Sequence, residues 1–441
     1  MTAGRGLILA APASGSGKTL IAAGLLRHLQ RRGMRVAAAK AGPDYIDPSF
    51  HAAASGRPCV NLDLWAMRPA TLAGLVAQLG VEADLVLCEG VMGLFDGTGP
   101  DGEAGSTAAL ARLTGWPVVL VVDARRQGAS AAALIGGFAR HDPQVPLAGV
   151  IFNRVAGRRH RDLLEIALAR HIPDLPCLGA VPQDPALALA ERHLGLVPAG
   201  ERSDSETVIE HAAAVVSDAL DVDALLALAR PSTLGSAAPA MPLMPLGQRI
   251  AVARDAAFAF SYPAVLDGWR RAGAALSFFS PLADEPPDRD ADAIYLPGGY
   301  PELHAGRLAM AERFVAGLRR AAAGGTFIYG ECGGYMVLGE ALSDADGQTH
   351  RMAGLLPLAT SFAERRLHLG YRALTLLREA PLGPARSRFR GHEFHYATTV
   401  SAAGEALFAA ADSCGVDLGL AGLRHGSVAG SFMHLIDREE D

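Results

Sequence analysis

Gly6-Leu7-Ile8-Leu9-Ala10-Ala11-Pro12-Ala13-Ser14-Gly15-Ser16-Gly17-Lys18-Thr19 stands near the start of the chain, and a helical pattern, Leu20–Arg32, follows it. The order is apolar strand, glycine-rich loop, helix. In such a loop successive backbone N–H groups face one concavity, and the positive end of the following helix adds to it. Glycines let the backbone approach phosphates, a lysine reaches the β and γ oxygens, and a Thr hydroxyl ligates Mg²⁺. Gly15, Ser16, Gly17, Lys18 and Thr19 are therefore expected to bind ATP, with Thr19 also on the metal. Pro12 stands where the full motif has Gly, so the strand–loop–helix context carries the match. The plainer alternative is a glycine-rich turn with an incidental lysine.

Outward from this loop the pattern repeats. Gly6–Ala11, Val36–Ala41, Leu85–Cys88, Val118–Val122 and Val150–Phe152 are short aliphatic runs, each followed by Gly, Pro, Asp or Asn. Continuous runs of that length suit strands buried on both faces of a parallel sheet. Helical patterns such as Ser130–Arg140 lie between them, which predicts a doubly wound α/β domain. Pro231–Gln248, with Pro239, Pro242 and Pro245, predicts an extended, poorly packed linker. A second α/β series begins at Arg249–Ala253 and continues through Ala275–Phe279, Ala293–Leu296 and Thr326–Tyr329. The expected division is a P-loop domain at 1–230, a linker at 231–248 and a second domain at 249–441.

Open α/β sheets bind ligands at the carboxyl ends of their strands. Lys40-Ala41-Gly42-Pro43-Asp44-Tyr45-Ile46-Asp47-Pro48 and Glu89-Gly90-Val91-Met92-Gly93-Leu94-Phe95-Asp96-Gly97 both sit there. Mg²⁺ takes oxygen ligands, so Asp44 and Glu89 are candidates to complete a shell with Thr19. Lys40 is placed to meet a carboxylate or a transferred phosphoryl group. Asp44 and Asp47 also read as turn caps beside their prolines. Asn153 ends another strand, as an adenine contact or as a turn-forming Asn.

Gly330-Glu331-Cys332-Gly333-Gly334-Tyr335 follows Thr326–Tyr329 and has the pattern of a sharp strand-to-helix turn that presents a nucleophile, with Cys in place of Ser. A thiol near its free pKa of about 8.5 is a modest nucleophile, and a histidine partner activates it. His434 is the favoured base, in Ser431-Phe432-Met433-His434-Leu435, with His395 the runner-up and His392 also in contention. Gly299 and Tyr300 offer backbone N–H groups for an oxyanion hole, where one donor is commonly worth about 2.7–4 kcal/mol. Cys59, Cys88, Cys177 and Cys414 lack this setting and read as small core residues.

The chain has 441 residues, 50% of them hydrophobic, and a formal charge of −6. That length predicts two or three domains, and the charge gives no sign of a nucleic-acid partner. Five scattered cysteines without a CxxC pair read as free thiols. There is no basic-then-apolar leader pattern and no run of about 18 apolar residues, so a cytoplasmic location with no membrane partner is expected.

With both centres in view, the chain resembles the cobyrinic acid a,c-diamide synthases of corrinoid biosynthesis over nearly its full length. Ser14–Thr19, Lys40–Pro48, Glu89–Gly97, Pro297–Leu303, Gly330–Gly334 and His434 occur in that family's order, and Gly42–Pro48 discriminates most. The resemblance implies a dethiobiotin synthetase-like domain followed by a class I, triad-type glutamine amidotransferase domain. It implies ATP- and glutamine-dependent amidation of the a- and c-acetates of hydrogenobyrinic or cobyrinic acid. The expected route is an acyl phosphate, with ammonia, which water would protonate, passing inside the protein. Glutamine, ATP and a corrin polycarboxylate are the expected partners, Mg²⁺ the cofactor, and a homodimer is compatible. Cys332, His434 and Lys40 would be catalytic, and Tyr45, Asp47 and Asp96 would meet the substrate. The chain departs from the wider amidotransferase pattern at Ile436, where a third triad carboxylate would stand two residues after His434. Two other readings remain: an amidoligase acting on another tetrapyrrole, which product mass spectrometry separates, and a P-loop ATPase fused to a non-catalytic amidotransferase-like domain, which a glutaminase assay separates.

Overall fold

The computed structural model describes residues 4–187, 204–235 and 237–439. The chain forms two compact units, one of residues 1–65 and 72–240, the other of residues 66–71 and 241–441.

Among the described residues the first unit is built on eight strands: β1 (Arg5–Ala10), β2 (Val36–Ala41), β3 (Val60–Leu62), β4 (Leu85–Glu89), β5 (Val118–Asp123), β6 (Leu147–Val155), β7 (Cys177–Pro182) and β8 (Arg230–Pro231). The order is β3-β2-β4-β1-β5-β6-β7, all parallel, with β8 antiparallel on β1. Leu7, Ile8, Leu9, Val118 to Val122 and Val150 to Phe152 are fully buried, as expected of central strands covered by helices on both faces. The loops after β1 and β4 are stitched together where β1 and β4 adjoin: Gly90 N–H donates to Leu9 O, and Leu94 N–H to Ala11 O. That places the glycine-rich loop beside the Glu89–Asp96 segment. The helix after it runs from Lys18 to Arg31, starting two residues before the sequence pattern because Gly17, left-handed at φ 87°, closes the loop directly onto Lys18.

The second unit begins with β9 (Arg249–Ala253), β10 (Ala275–Phe279), β11 (Ala293–Leu296) and β12 (Phe327–Glu331). It continues through β13 (Ala341–Ser343), β14 (Thr349–Arg351), β15 (Leu358–Ser361), β16 (His368–Leu376), β17 (Arg388–His395), β18 (Thr398–Ala402), β19 (Phe408–Asp412), β20 (Asp417–Ala421), β21 (Leu423–His425), β22 (Val428–Ser431) and β23 (Met433–Arg438). A six-stranded sheet runs β10-β9-β11-β12-β22-β21, parallel except at its β21 edge. Two smaller sheets, β14-β13-β15-β18 and β20-β19-β16-β17-β23, are largely antiparallel and were not foreseen. The linker is better packed than its composition suggests: Leu243 and Leu246 are buried. Among the described residues no helix is long and apolar enough to cross a membrane.

Candidate functional site

In the second unit Cys332 follows the last residue of β12 and precedes the helix Gly333–Leu338. Its φ of 46° is a strained conformation for a residue with a Cβ, the kind that persists at functional turns because neighbours over-determine it. Those neighbours are explicit: Cys332 N–H donates to Ser431 O and Gly334 N–H to Pro297 O. The thiol faces the Gly333 N–H. Burial, with Glu302 adding repulsion, pushes its pKa up, so the resting group is a protonated thiol. His434, on β23, is 1% exposed, and burial, helped by His392 and His395, lowers its pKa to about 3. The imidazole is neutral and able to accept a proton.

Gly298 explains how these two groups meet. A Cβ there would lie 2.2 Å from His434 Cε1, 3.1 Å from Nε2 and 3.2 Å from Cys332 Cβ. The ring and the cysteine thus flank one point, which only a hydrogen can occupy. The runner-up His395 is otherwise engaged, with Nε2 against Glu393 at 3.1 Å and Nδ1 against Ala397 O. Of the expected oxyanion donors, Gly299 has its amide nitrogen 3.0 Å from the position of a Gly333 Cβ, so it borders the turn. The Tyr300 ring packs edge-on against Phe260.

In the first unit Gly17 needs both its left-handed φ and its missing side chain, because a Cβ would lie 2.2 Å from Asn153 Nδ2. Asn153 donates to Ser16 O at 2.8 Å, so it braces the glycine-rich loop and also lines a pocket of about 290 Å³ with Gly17, Arg154 and Gln183. Ser16 Oγ donates to Ala13 O, and Arg154 holds Gly15 O. Lys18 donates to Met92 O at 2.8 Å, and burial lowers its pKa against the pull of Glu89.

Beside it lies a buried ionic cage. Lys40 meets Asp47 at 2.8 Å, Glu89 at 3.3 Å and Gly90 O at 3.1 Å. Burial disfavours its charge, but Asp47 and then Glu89 outweigh that and raise its pKa. Glu89 also accepts from Thr19 Oγ1 at 2.9 Å and lies 2.6 Å from His51 Nε2. Its burial works against ionisation, yet Lys40, His51 and Lys18 bring it down to about 2. The Thr19 hydroxyl and the ionised Glu89 are adjacent hard oxygen donors, which suits Mg²⁺. Asp44 is directed elsewhere, and its two oxygens accept the Ile46 and Asp47 N–H groups at the start of the helix Ile46–Ser55. Tyr45 leads into that helix, Asp47 is committed to Lys40, and Asp96 is exposed and closes its own loop through Gly93 N–H.

The profile of the CobQ/CobB/MinD/ParA nucleotide binding domain matches residues 7–197, and that of the CobB/CobQ-like glutamine amidotransferase domain matches residues 249–441. The hydrogenobyrinate a,c-diamide synthase of Brucella anthropi is 56% identical over 436 residues, covering 98% of each chain. Those of Rhizobium meliloti and Mesorhizobium japonicum are 55% and 52% identical, covering 99% of this chain and 100% and 99% of theirs. The chain belongs to the hydrogenobyrinate a,c-diamide synthase family. For this member of the family, sequence reasoning passed over three functional candidates. Gly333, the residue after Cys332, is the position a nucleophile-elbow rule assigns to an oxyanion donor. Gly298 directly precedes Gly299 and Tyr300. His51 gave no local signal, being one polar residue in an alanine-rich helix.

Proposed function

We propose that this protein is a cytoplasmic ligase that uses ATP and glutamine to amidate the a- and c-acetate carboxylates of hydrogenobyrinic acid, the metal-free corrin, in cobalamin biosynthesis. One observation carries the reading. A chain that matches synthases of that name from end to end gathers Cys332, His434 and the Gly333 N–H in one unit, and Lys18, Thr19, Lys40 and Glu89 in the other.

In the second unit Cys332 Sγ attacks the glutamine amide carbon while His434 takes the thiol proton. The Gly333 and Gly299 N–H groups stabilise the oxyanion. His434 returns the proton to the departing ammonia, and water then hydrolyses the thioester to glutamate. In the first unit Lys18 and the amides of Gly15 to Thr19 hold the triphosphate, with the base in the pocket beside Asn153. Thr19 and Glu89 would hold Mg²⁺, which supplies charge neutralisation on the phosphates when bound. A corrin carboxylate attacks the γ-phosphorus, giving an acyl phosphate and ADP, and ammonia displaces phosphate from it. Lys40 stays charged through this step and is suited to the developing phosphoryl charge. Positioning and charge neutralisation carry most of such a transfer.

The test offers the purified protein metal-free and cobalt-bearing acids with ATP and either glutamine or ammonium, and counts exchanges of hydroxyl for amino by mass. Two exchanges on the metal-free acid, with ADP formed, are expected. Cys332→Ala should abolish the glutamine route and retain the ammonium route. Loss of both, or amide formation without ADP, would reject the scheme.

A further inference from the structure

We propose that Glu331 is the third member of the thiol centre, a positioning residue whose carboxylate serves the Nδ1 side of His434 in place of the carboxylate that Ile436 does not supply. This rests on the reading of Cys332 and His434 as nucleophile and base.

Glu331 Oε2 lies 3.9 Å from His434 Nδ1, and both side chains are almost wholly buried. The opposite nitrogen, Nε2, faces the Gly298 gap that Cys332 borders. Carboxylate, imidazole and thiol therefore follow one another in the order a triad requires. The carboxylate is also fixed in direction. Tyr295 OH donates to Oε2 at 2.7 Å, and the N–H of Leu435 donates to Oε1 at 3.1 Å. Leu435 is the residue after His434, so the same carboxylate grips the strand that carries the ring. The gap of 3.9 Å is longer than a hydrogen bond, as is common before substrate arrives, and a ring movement of about 1 Å closes it. Asp437 is close to His434 in sequence but bonds the backbone N–H and guanidinium of Arg68.

The chemistry asks for such a group. As the Sγ–carbon bond forms, the thiol proton moves to Nε2 and the ring becomes an imidazolium in a site that disfavours charge. His392 and His395 from β17 add to that cost, while Glu393 on the same strand opposes it and is itself paired with Arg372. A carboxylate at Nδ1–H fixes the tautomer that leaves Nε2 free to accept, and offsets the new charge. The proton leaves again on the departing ammonia as the carbon–nitrogen bond breaks. Burial raises the Glu331 pKa to about 7, opposed by the hydrogen bonds from Tyr295 and the Leu435 amide. Ionisation of this one group thus falls within the working range of the reaction.

The experiment measures kcat and KM for glutamine across neutral pH in the full-length protein, with the ammonium-driven rate as the folding control. The wild-type glutamine rate should fall on the acid side of about 7. Glu331→Gln should lower kcat by about 10²-fold or more with KM little changed, and should remove that acid limb. Glu331→Asp should recover part of the rate. Tyr295→Phe, which deletes a hydrogen bond to the ionised carboxylate, should move the limb to higher pH. A Glu331→Gln protein with wild-type kcat, or with a lowered kcat and an unchanged acid limb, would overturn the proposal. If glutamine and ammonium rates fall together, Tyr295→Phe decides: a limb that stays in place overturns it. Glutamine use by Cys332→Ala would instead reject the parent assignment.

Discussion

The two centres solve opposite electrostatic problems. Around Lys40 and Glu89 the first unit keeps full charges under cover, each holding the other ionised across 3.3 Å. Around Cys332 the second unit keeps the thiol protonated and the imidazole unprotonated, with the Glu331 carboxylate pushed up to about 7. One site is charged in advance for a polyanion that arrives charged. In the other, the proposed thiolate and imidazolium would form only when a neutral amide is attacked.

The signs of the pH dependence follow. Glu89, brought from its ordinary 4.5 down to about 2, contributes stability that is in place above about 4.5 and is lost as pH falls toward 2. Glu331, raised from 4.5 to about 7, contributes stability that is whole below 4.5 and is lost as pH rises through 7. Glu89 and Glu331 therefore lean in opposite directions, and substitutions can separate them.

The largest effect is expected from Lys18→Ala, which removes the cation proposed to meet the phosphates. Glutamine-driven and ammonium-driven synthesis should both fall on the order of 10³-fold, with glutaminase activity remaining. An unchanged ammonium rate would break the assignment of the charged centre. Glu89→Gln leaves Lys40 with one ion-pair partner, Asp47, and His51 without its carboxylate, so it should cost about 3 kcal/mol in denaturant unfolding and flatten the acid side of the stability profile. Gly298→Ala probes the neutral centre. Its methyl must displace the His434 ring, so the glutamine route should fall about 10²-fold while the ammonium route holds. The smallest effect belongs to Asp44→Ala, which uncaps the helix Ile46–Ser55 for about 1 kcal/mol. A much larger loss of Mg²⁺·ATP use there would return Asp44 to the metal.

The same contrast explains what could be read from the residues. The parallel strands announce themselves because central positions such as Val118 to Val122 exclude polar residues on both faces. The antiparallel sheets of the second unit do not: β18 and β20 are mostly exposed, and Gly419 interrupts β20. The phosphate loop and the cysteine turn are local devices, in which glycines and one reactive residue lie adjacent in the chain. The surroundings of those residues are assembled across long separations. His51 meets Glu89 across 38 positions, and Glu331 meets the Leu435 amide across 104. Nothing in the immediate neighbours of either residue encodes the meeting. Asp44 shows the converse, a carboxylate whose capping geometry is written in its neighbours Pro43 and Ile46.

Residues 66–71 belong to the second unit, although the first surrounds them in sequence. Within that unit Arg68 supplies the guanidinium and backbone N–H that satisfy the wholly buried Asp437 on the strand of His434. An amidotransferase half excised at the proline-rich linker would carry Asp437 without its counter-ion, at a penalty of about 3–5 kcal/mol. Gene dissection at the obvious seam should therefore yield a fragile product. Supplying a peptide that includes Arg68 should restore it.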